Sequence, residues 1–163
     1  MNEKLSYYSY VMPHGKVTIR ASRRGITDLV FDAVKMDGVE ESTRITNEAA
    51  TQLQEYFAGK RHEFNLALDL KGSTFQKEVW NEIMRIPYGT TATSAEIAEA
   101  MGKPGSYRNV GTAVTKNPIA IIIPDHRVVG AQGSPLGNGR KASIRRGLLA
   151  AELRNAASGI RPV

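Results

Sequence analysis

The sequence of 163 residues contains no cysteine, which excludes disulfide bonds and cysteine–zinc sites. Histidine is also scarce, and His14, His62 and His126 are too scattered to indicate a metal cluster. No run of 18 apolar residues is present, so no membrane span is predicted, and the first residues show no signal-peptide pattern. These absences favour a cytoplasmic protein that uses neither a metal nor another cofactor.

Negative charge is deficient in only one half of the chain. Residues 1–71 carry ten Lys and Arg against ten Asp and Glu, whereas residues 72–163 carry twelve against six. The whole net charge of +6 therefore lies in the second half. Such an excess indicates a polyanionic partner, most simply nucleic acid, although a merely soluble basic protein would show the same balance.

The first 71 residues have the pattern of a small α+β domain. Three segments with strand character are separated by Pro13-His14-Gly15 and by Arg23-Arg24-Gly25, which is typical of a β-meander. Thr46 is the predicted N-cap of a helix, and residues 63–70 alternate like a strand or an extended linker. No chemical motif lies here, so we interpret residues 1–71 as a structural cap.

Predicted helices dominate residues 72–163. Ser73 and Thr93 each begin a capping-box pattern, and Ser106 is expected to cap the helix after a Gly- and Pro-containing turn. Helix, short turn, helix is the pattern of a helix-turn-helix motif, which the local basic excess supports. A last helix is predicted over residues 142–155, with four apolar side chains facing inward: Ile144, Leu148, Leu149 and Leu153.

A short apolar run from Ile119 to Ile123 stops at Pro124 and leads directly into Asp125-His126-Arg127. Its length and its Pro and Gly boundaries predict a buried strand or core segment. Three ionisable side chains would then lie where the chain leaves the core. The alternative is an ordinary turn with charged residues facing water.

This stretch resembles the active-site segment of the O6-alkylguanine-DNA alkyltransferases, which read Pro-Cys-His-Arg-Val. The resemblance runs from about Phe75 to Glu152, and more weakly through the first half. It implies an α+β fold with an N-terminal β-meander and helix domain, residues 1–71, before a mostly helical, winged helix-turn-helix-like domain, residues 72–163. In that family a glutamate orients a histidine, the histidine activates the cysteine through water, and the thiolate takes the alkyl group. The corresponding catalytic positions hold Asp125, His126 and Glu152, with Asp125 in place of the cysteine.

The resemblance also implies two sets of binding residues. The recognition helix would contact DNA through Ser106, Tyr107, Arg108, Asn109, Gly111 and Thr112. Arg108 stands where the family has the arginine that fills the space left by an extruded nucleotide. The base pocket would include Ser94, Asn117, Pro124, Val128 and Asn138, with the base held by the backbone carbonyls of Asp125 and Val128.

Several positions depart from the family pattern. Ser94 and Asn138 stand where tyrosines are common, and Tyr107 and Asn109 replace small residues. Because the changes reach the pocket and the DNA face as well as the nucleophile, they favour a diverged, inactive relative over a laboratory knock-out.

The leading expectation is a monomeric protein that binds duplex DNA through the minor groove and flips O6-alkylguanine without irreversible transfer. It would be cytoplasmic, nucleoid-associated if bacterial, and would resemble the alkyltransferase-like proteins that mark lesions for other repair factors. Three alternatives stay open. They are an alkyltransferase or dealkylase acting through Asp125, an engineered inactive variant, and a DNA-binding protein with no lesion preference.

Overall fold

A computed structural model describes residues 3–158. These residues form two compact units, one of residues 3–71 with Pro118–Ala120 and one of residues 72–117 with 121–158. No helix within the described range combines the length and the apolar character that crossing a bilayer requires. The division of function between a cap and a DNA-binding domain stays a prediction.

The first unit is built on a four-stranded sheet with the strand order β3-β2-β1-β4. Its strands are β1 (Ser6–Met12), β2 (Gly15–Ala21), β3 (Ile26–Phe31) and β4 (Val39–Glu40). The first three strands are antiparallel neighbours, and β4 pairs in parallel with β1. The predicted β-meander is therefore confirmed.

Helix α1 (Arg44–Phe57) packs on β1 and β2 through a buried face that includes Ala49 and Leu53. The prediction that Thr46 is its N-cap was wrong, because Thr43 has the extended backbone of a cap and its side chain accepts from the Thr46 amide. Thr46 is the third helical residue, and its hydroxyl accepts from the Thr43 amide at 2.9 Å. Two threonines at this spacing form a reciprocal capping box, so the later one was mistaken for the cap.

Residues 63–70 are extended but do not form a regular strand, because only Leu68 makes an isolated bridge, to Ile26. The Ile26 amide donates to the Ala67 carbonyl at 2.9 Å. A Cβ at Gly25 would lie 2.4 Å from the Ala67 carbonyl oxygen, so this close approach of two backbone segments requires glycine. Of the two structures predicted for residues 63–70, a strand or an extended linker, the linker is therefore the correct one.

The second unit is mostly helical, as predicted. Its elements are α2 (Thr74–Ile83), β5 (Ala92–Thr93), α3 (Ser94–Ala100), α4 (Tyr107–Thr115), β6 (Val128–Val129) and α5 (Gly139–Ala157). The capping boxes at Ser73 and Thr93 are both present. Trp80 is 2% exposed and donates its indole N–H to the Ala113 carbonyl at 2.9 Å, which joins α2 to α4 and confirms its predicted place in the core.

Ser106 does not cap α4 with its side chain. Residues Pro104–Ser106 form a 3-10 turn that runs directly into α4, so Ser106 has φ −94° and ψ 14° instead of the extended backbone of a capping residue. The first amides of α4 consequently donate no hydrogen bond to the Ser106 side chain.

The run from Ile119 to Ile123 is a core segment but not a strand. All four isoleucines are buried, and Ile121 has φ +72°. A β-branched residue rarely adopts this left-handed conformation, and the bend that it produces interrupts any strand. Helix α5 also differs from expectation, since Leu153 is 45% exposed while the buried positions are Ala142, Arg145, Leu149 and Glu152.

Candidate functional site

The site begins with three consecutive ionisable residues that are all buried. Asp125, His126 and Arg127 form a 3-10 turn after Pro124, with exposed fractions of 4%, 0% and 6%. The alternative of a solvated turn is therefore wrong. Burying such groups is costly unless they are paired, so their partners define the chemistry of the site.

Glu152 of α5 is the common partner of His126 and Arg127. His126 Nε2 lies 2.6 Å from Glu152 Oε2, and Arg127 donates from Nε to Oε1 at 2.8 Å and from Nη2 to Oε2 at 3.0 Å. The Gly89 amide donates to Oε1 at 3.1 Å. Both oxygens of this fully buried carboxylate are thus occupied by donors from two other segments.

These donors decide the ionisation of Glu152. Burial by itself raises the pKa of the Glu152 carboxyl, but hydrogen bonds from His126 and Arg127 and their charges outweigh it. The net pKa is about 2, below the ordinary value of 4.5. Glu152 is therefore ionised at neutral pH and fixes the His126 ring.

Arg127 ties this pair to the turn after α2. Its Nη1 donates to the Ile86 carbonyl at 2.6 Å, and its guanidinium lies 5.6 Å from the centre of the Tyr88 ring. The Tyr88 hydroxyl accepts from Asn155 of α5 at 3.0 Å. The motif that identifies Asp125 and His126 gives no role to Arg127, although this residue directly follows His126.

Asp125 belongs to a separate network. Its Oδ2 accepts from the Asn117 amide at 3.0 Å and from Arg145 Nη2 at 3.1 Å. Asn117 also donates to the Ile123 carbonyl at 2.8 Å, so it spans the turn between the apolar run and Asp125. The arrangement orients the Asp125 carboxylate from two sides.

Arg145 is a second residue that sequence reasoning missed. Its side chain is 8% exposed, and its Nη1 donates to the Leu136 carbonyl at 3.0 Å in the loop before α5. A Cβ at Gly137 would lie 2.7 Å from that nitrogen, so the loop backbone lies directly against the guanidinium. The available signal was helical spacing, because Arg145 precedes Glu152 by two turns on the same helix face.

The predicted pocket residues differ in burial and in the elements that carry them. Pro124 and Val128 are buried at the two ends of the 3-10 turn that carries Asp125. Ser94 is the first residue of α3 and lies against Gly111 of α4, where a Cβ would be 3.7 Å from the Ser94 hydroxyl. Asn138 is exposed and precedes α5 without a side-chain cap hydrogen bond.

The start of α4 presents polar side chains to solvent. Tyr107, Arg108, Asn109 and Thr112 are exposed, whereas Val110, Ala113 and Val114 face the core. Arg108 lies with its guanidinium 5.7 Å from the centre of the Tyr107 ring, and Ser106 and Gly111 are half-buried. This outer face carries an aromatic ring, a cation and two hydrogen-bonding groups.

Chemically, the site offers a histidine held by a carboxylate and an aspartate held by an arginine. The first pair is the orienter and base of a nucleophilic site, but the side chain at residue 125 is a carboxylate. Among residues 3–158, no group of three His, Asp or Glu side chains is arranged to hold a metal ion.

Two family descriptions match almost the whole chain. The DNA-binding domain of 6-O-methylguanine DNA methyltransferase matches residues 74–154, and the ribonuclease-like domain of the same enzyme matches residues 5–70. A methylated-DNA–protein-cysteine methyltransferase of Methanosarcina barkeri is 40% identical over 156 residues, covering 91% of this chain and 98% of that protein. One from Mycolicibacterium paratuberculosis is 46% identical over 123 residues, covering 76% and 74%.

Solved structures are similar over the same extent. The O6-methylguanine methyltransferase of Mycobacterium tuberculosis superimposes with a TM-score of 0.81 at 36% identity, covering 93% of this chain and 94% of that one. The crystal structure of Mycobacterium tuberculosis OGT in complex with DNA gives a TM-score of 0.82 at 38% identity, covering 92% and 94%. The predicted α+β fold with a helical second domain is confirmed by this similarity.

Proposed function

The chain belongs to the 6-O-methylguanine DNA methyltransferase family, and from this premise we propose that it recognises alkylated guanine in duplex DNA without irreversible alkyl transfer. It would approach the minor groove with α4 and turn the damaged base out of the helix. One observation carries the proposal: Asp125 stands in the nucleophile position, within a site whose histidine and glutamate are kept and paired.

DNA binding is supported by the outer face of α4 and by charge. Tyr107, Arg108, Asn109 and Thr112 are exposed on one helix, in the half of the chain that holds the entire net charge of +6. A related structure was solved in complex with DNA. Arg108 is well placed for the space left by an extruded nucleotide, because it lies in the first turn of α4 and is exposed.

The absence of transfer follows from the chemistry of residue 125. A carboxylate is a much poorer nucleophile than a thiolate toward a saturated carbon, and His126 has no thiol to activate. Asp125 is also held on Oδ2 by Asn117 and Arg145, which directs this oxygen toward the protein. The product of an attack would be an alkyl ester of Asp125, and no such product is expected to accumulate.

The test combines binding with intact mass. The protein is mixed at about 50 mM salt with a labelled duplex carrying one O6-methylguanine, or with the same duplex unmodified, and anisotropy is measured before mass analysis over hours. We expect binding to both duplexes, tighter binding to the methylated one, and no gain of a methyl group. Asp125→Cys, measured in parallel, should gain a methyl group slowly, because His126 and Glu152 are present while Ser94 and Asn138 replace the usual tyrosines.

Each other outcome has a definite meaning. A methyl-mass gain on the unmodified protein, mapped to Asp125, would overturn the non-enzymatic proposal. Equal affinity for the two duplexes would indicate a DNA-binding protein without lesion preference, and no binding at low salt would reject the DNA-binding proposal altogether. Fast methylation of Asp125→Cys would show that residue 125 alone separates this chain from an active transferase.

A further inference from the structure

The two oxygens of Asp125 have different surroundings. Oδ2 accepts two hydrogen bonds, from Asn117 at 3.0 Å and from Arg145 at 3.1 Å. Oδ1 accepts a hydrogen bond from none of the residues that the structure describes, although the residue is only 4% exposed. Oδ1 is not completely enclosed, and a carboxylate oxygen that has remaining acceptor capacity and can still be reached is well suited to a donor on a ligand.

The position of Asp125 indicates which part of a lesion this oxygen would meet. In the reaction of the family, the side chain at this position attacks the alkyl carbon attached to O6. A side chain that replaces the nucleophile therefore lies beside the O6 substituent, and not beside the hydrogen-bonding edge of the base. The chemistry of Asp125 consequently affects the substituent more than the guanine ring.

We propose that Asp125 makes the pocket selective for O6-alkylguanines whose alkyl group carries a hydrogen-bond donor, such as a 2-hydroxyethyl group, over purely apolar groups of the same size. This inference rests on the proposed binding of extruded alkylguanine. The hydroxyl donates to Oδ1, and the carboxylate remains unalkylated throughout. No covalent step is involved.

Arg145 acts as the positioning residue for this selectivity. Its Nη2 holds Asp125 Oδ2, while its Nη1 is committed to the Leu136 carbonyl, and Gly137 lies directly against the guanidinium. Rotation of the carboxylate would break the bonds to both Arg145 and Asn117. Oδ1 is thereby kept as the oxygen that faces a ligand. An anionic substituent would be repelled there, because it would lie against the Asp125 carboxylate.

The expected ratio between the affinities for hydroxyethyl and apolar lesions follows from the loss of one hydrogen bond to a charged acceptor. An apolar group placed against Oδ1 would desolvate it without supplying a donor, and such an imbalance typically weakens binding by about tenfold or more. Because n-propyl and 2-hydroxyethyl groups have the same number of heavy atoms, their comparison isolates the donor from size.

The experiment uses the complete protein and four duplexes of one sequence. They contain guanine, O6-n-propylguanine, O6-(2-hydroxyethyl)guanine or O6-carboxymethylguanine at one position, and dissociation constants are measured by anisotropy competition. We expect the hydroxyethyl duplex to bind about tenfold more tightly than the propyl duplex, and the carboxymethyl duplex to bind more weakly than the hydroxyethyl one. Binding of the guanine duplex tests the proposed DNA-binding function separately.

Variants then assign the selectivity to Asp125. Asp125→Ala should bring the ratio between hydroxyethyl and propyl affinities close to one. Glu78→Ala, a carboxylate removed from α2 where it pairs with Lys103 at 3.0 Å, should keep the ratio. Thermal unfolding followed by Trp80 fluorescence checks that both variants are folded, and the comparison of ligands on the unmodified protein stands without them.

Two results would overturn the inference while leaving the proposed function intact. One is equal binding of the hydroxyethyl and propyl duplexes by a protein that binds duplex DNA. The other is a tenfold preference that survives in folded Asp125→Ala. If none of the four duplexes binds, the proposed function itself has failed.

Discussion

Asp125 and Glu152 are buried carboxylates with different sets of partners. Glu152 receives donors from His126, Arg127 and the Gly89 amide on both of its oxygens, whereas Asp125 receives two donors on one oxygen. A carboxylate with both oxygens occupied serves to organise its neighbours. A carboxylate with one oxygen left for a ligand can take part in recognition.

Glu152 links the stability of the protein to pH. The folded-state pKa of about 2 lies below the ordinary 4.5, so the stabilisation is fully present above pH 4.5 and is lost as pH falls toward 2. The difference between the two values corresponds to about 3 kcal/mol at neutral pH. We expect Glu152→Gln to lower the free energy of unfolding by about this amount at pH 7, measured by urea denaturation.

The pH dependence of the stability difference provides the control for this prediction. The difference in unfolding free energy between the unmodified protein and Glu152→Gln should shrink between about pH 5 and pH 2, as the native carboxylate becomes protonated. Glu99→Gln, which changes an exposed residue of α3, should change stability little at any pH. A constant difference across that range would show that the charge of Glu152 is not what stabilises the fold.

Sequence reasoning identified some residues of the site but not Arg145. Asp125, His126, Asn117 and Glu152 occupy positions of a family motif, and the structure brings them into two hydrogen-bonded networks. Arg145 was overlooked because an arginine in a basic helix normally faces solvent. Its spacing of two turns from Glu152 was the available signal, and the folded chain shows that the two residues share the buried face of α5.

At the scale of elements, local patterns predicted the types of structure better than their ends. The capping boxes at Ser73 and Thr93 were recognisable because the residue that completes each box stands three positions later. The start of α4 could not be recognised in this way, because a preceding 3-10 turn gives Ser106 a backbone conformation that prevents capping. The bend at Ile121 was also hidden, because apolar composition reports burial and not φ.

Helix α4 offers a direct test of its predicted role in DNA recognition. Arg108 is exposed in its first turn, whereas Lys77 is exposed on α2 and carries the same charge. If Arg108 enters the space left by an extruded nucleotide, Arg108→Ala should weaken binding to a duplex containing O6-methylguanine more than Lys77→Ala does, by about fivefold or more. Both dissociation constants are measured by anisotropy at the same salt concentration.

The two variants also need comparison on unmodified duplex. Arg108→Ala should lose less affinity there than on the lesion duplex, because little extrusion occurs without a damaged base. Equal losses from Arg108→Ala and Lys77→Ala on the lesion duplex would show that Arg108 contributes only general charge.

At the scale of the whole molecule, the distribution of charge is the main feature. Residues 1–71 are electrically neutral overall, and residues 72–163 carry the entire net charge of +6. The two matched family descriptions divide the chain in nearly the same place, with the DNA-binding description over residues 74–154. This agreement between charge and family was available from the sequence, whereas the pairing of buried charges within the second unit required the structure.

The charge distribution predicts a strong dependence of DNA binding on salt. Cations that neutralise phosphates release bound counterions, so the logarithm of the affinity should fall linearly with the logarithm of the salt concentration. Between about 50 and 200 mM salt, the affinity for duplex DNA should fall severalfold or more.

By contrast, the ratio between the affinities for hydroxyethyl and propyl lesions should change little, because it arises at a buried hydrogen bond that mobile ions reach poorly. Titrations of both lesion duplexes across this range measure the two quantities together. Salt-independent binding would rule out an electrostatic interaction with the phosphates, and a ratio that collapses with salt would place the source of selectivity outside the buried pocket.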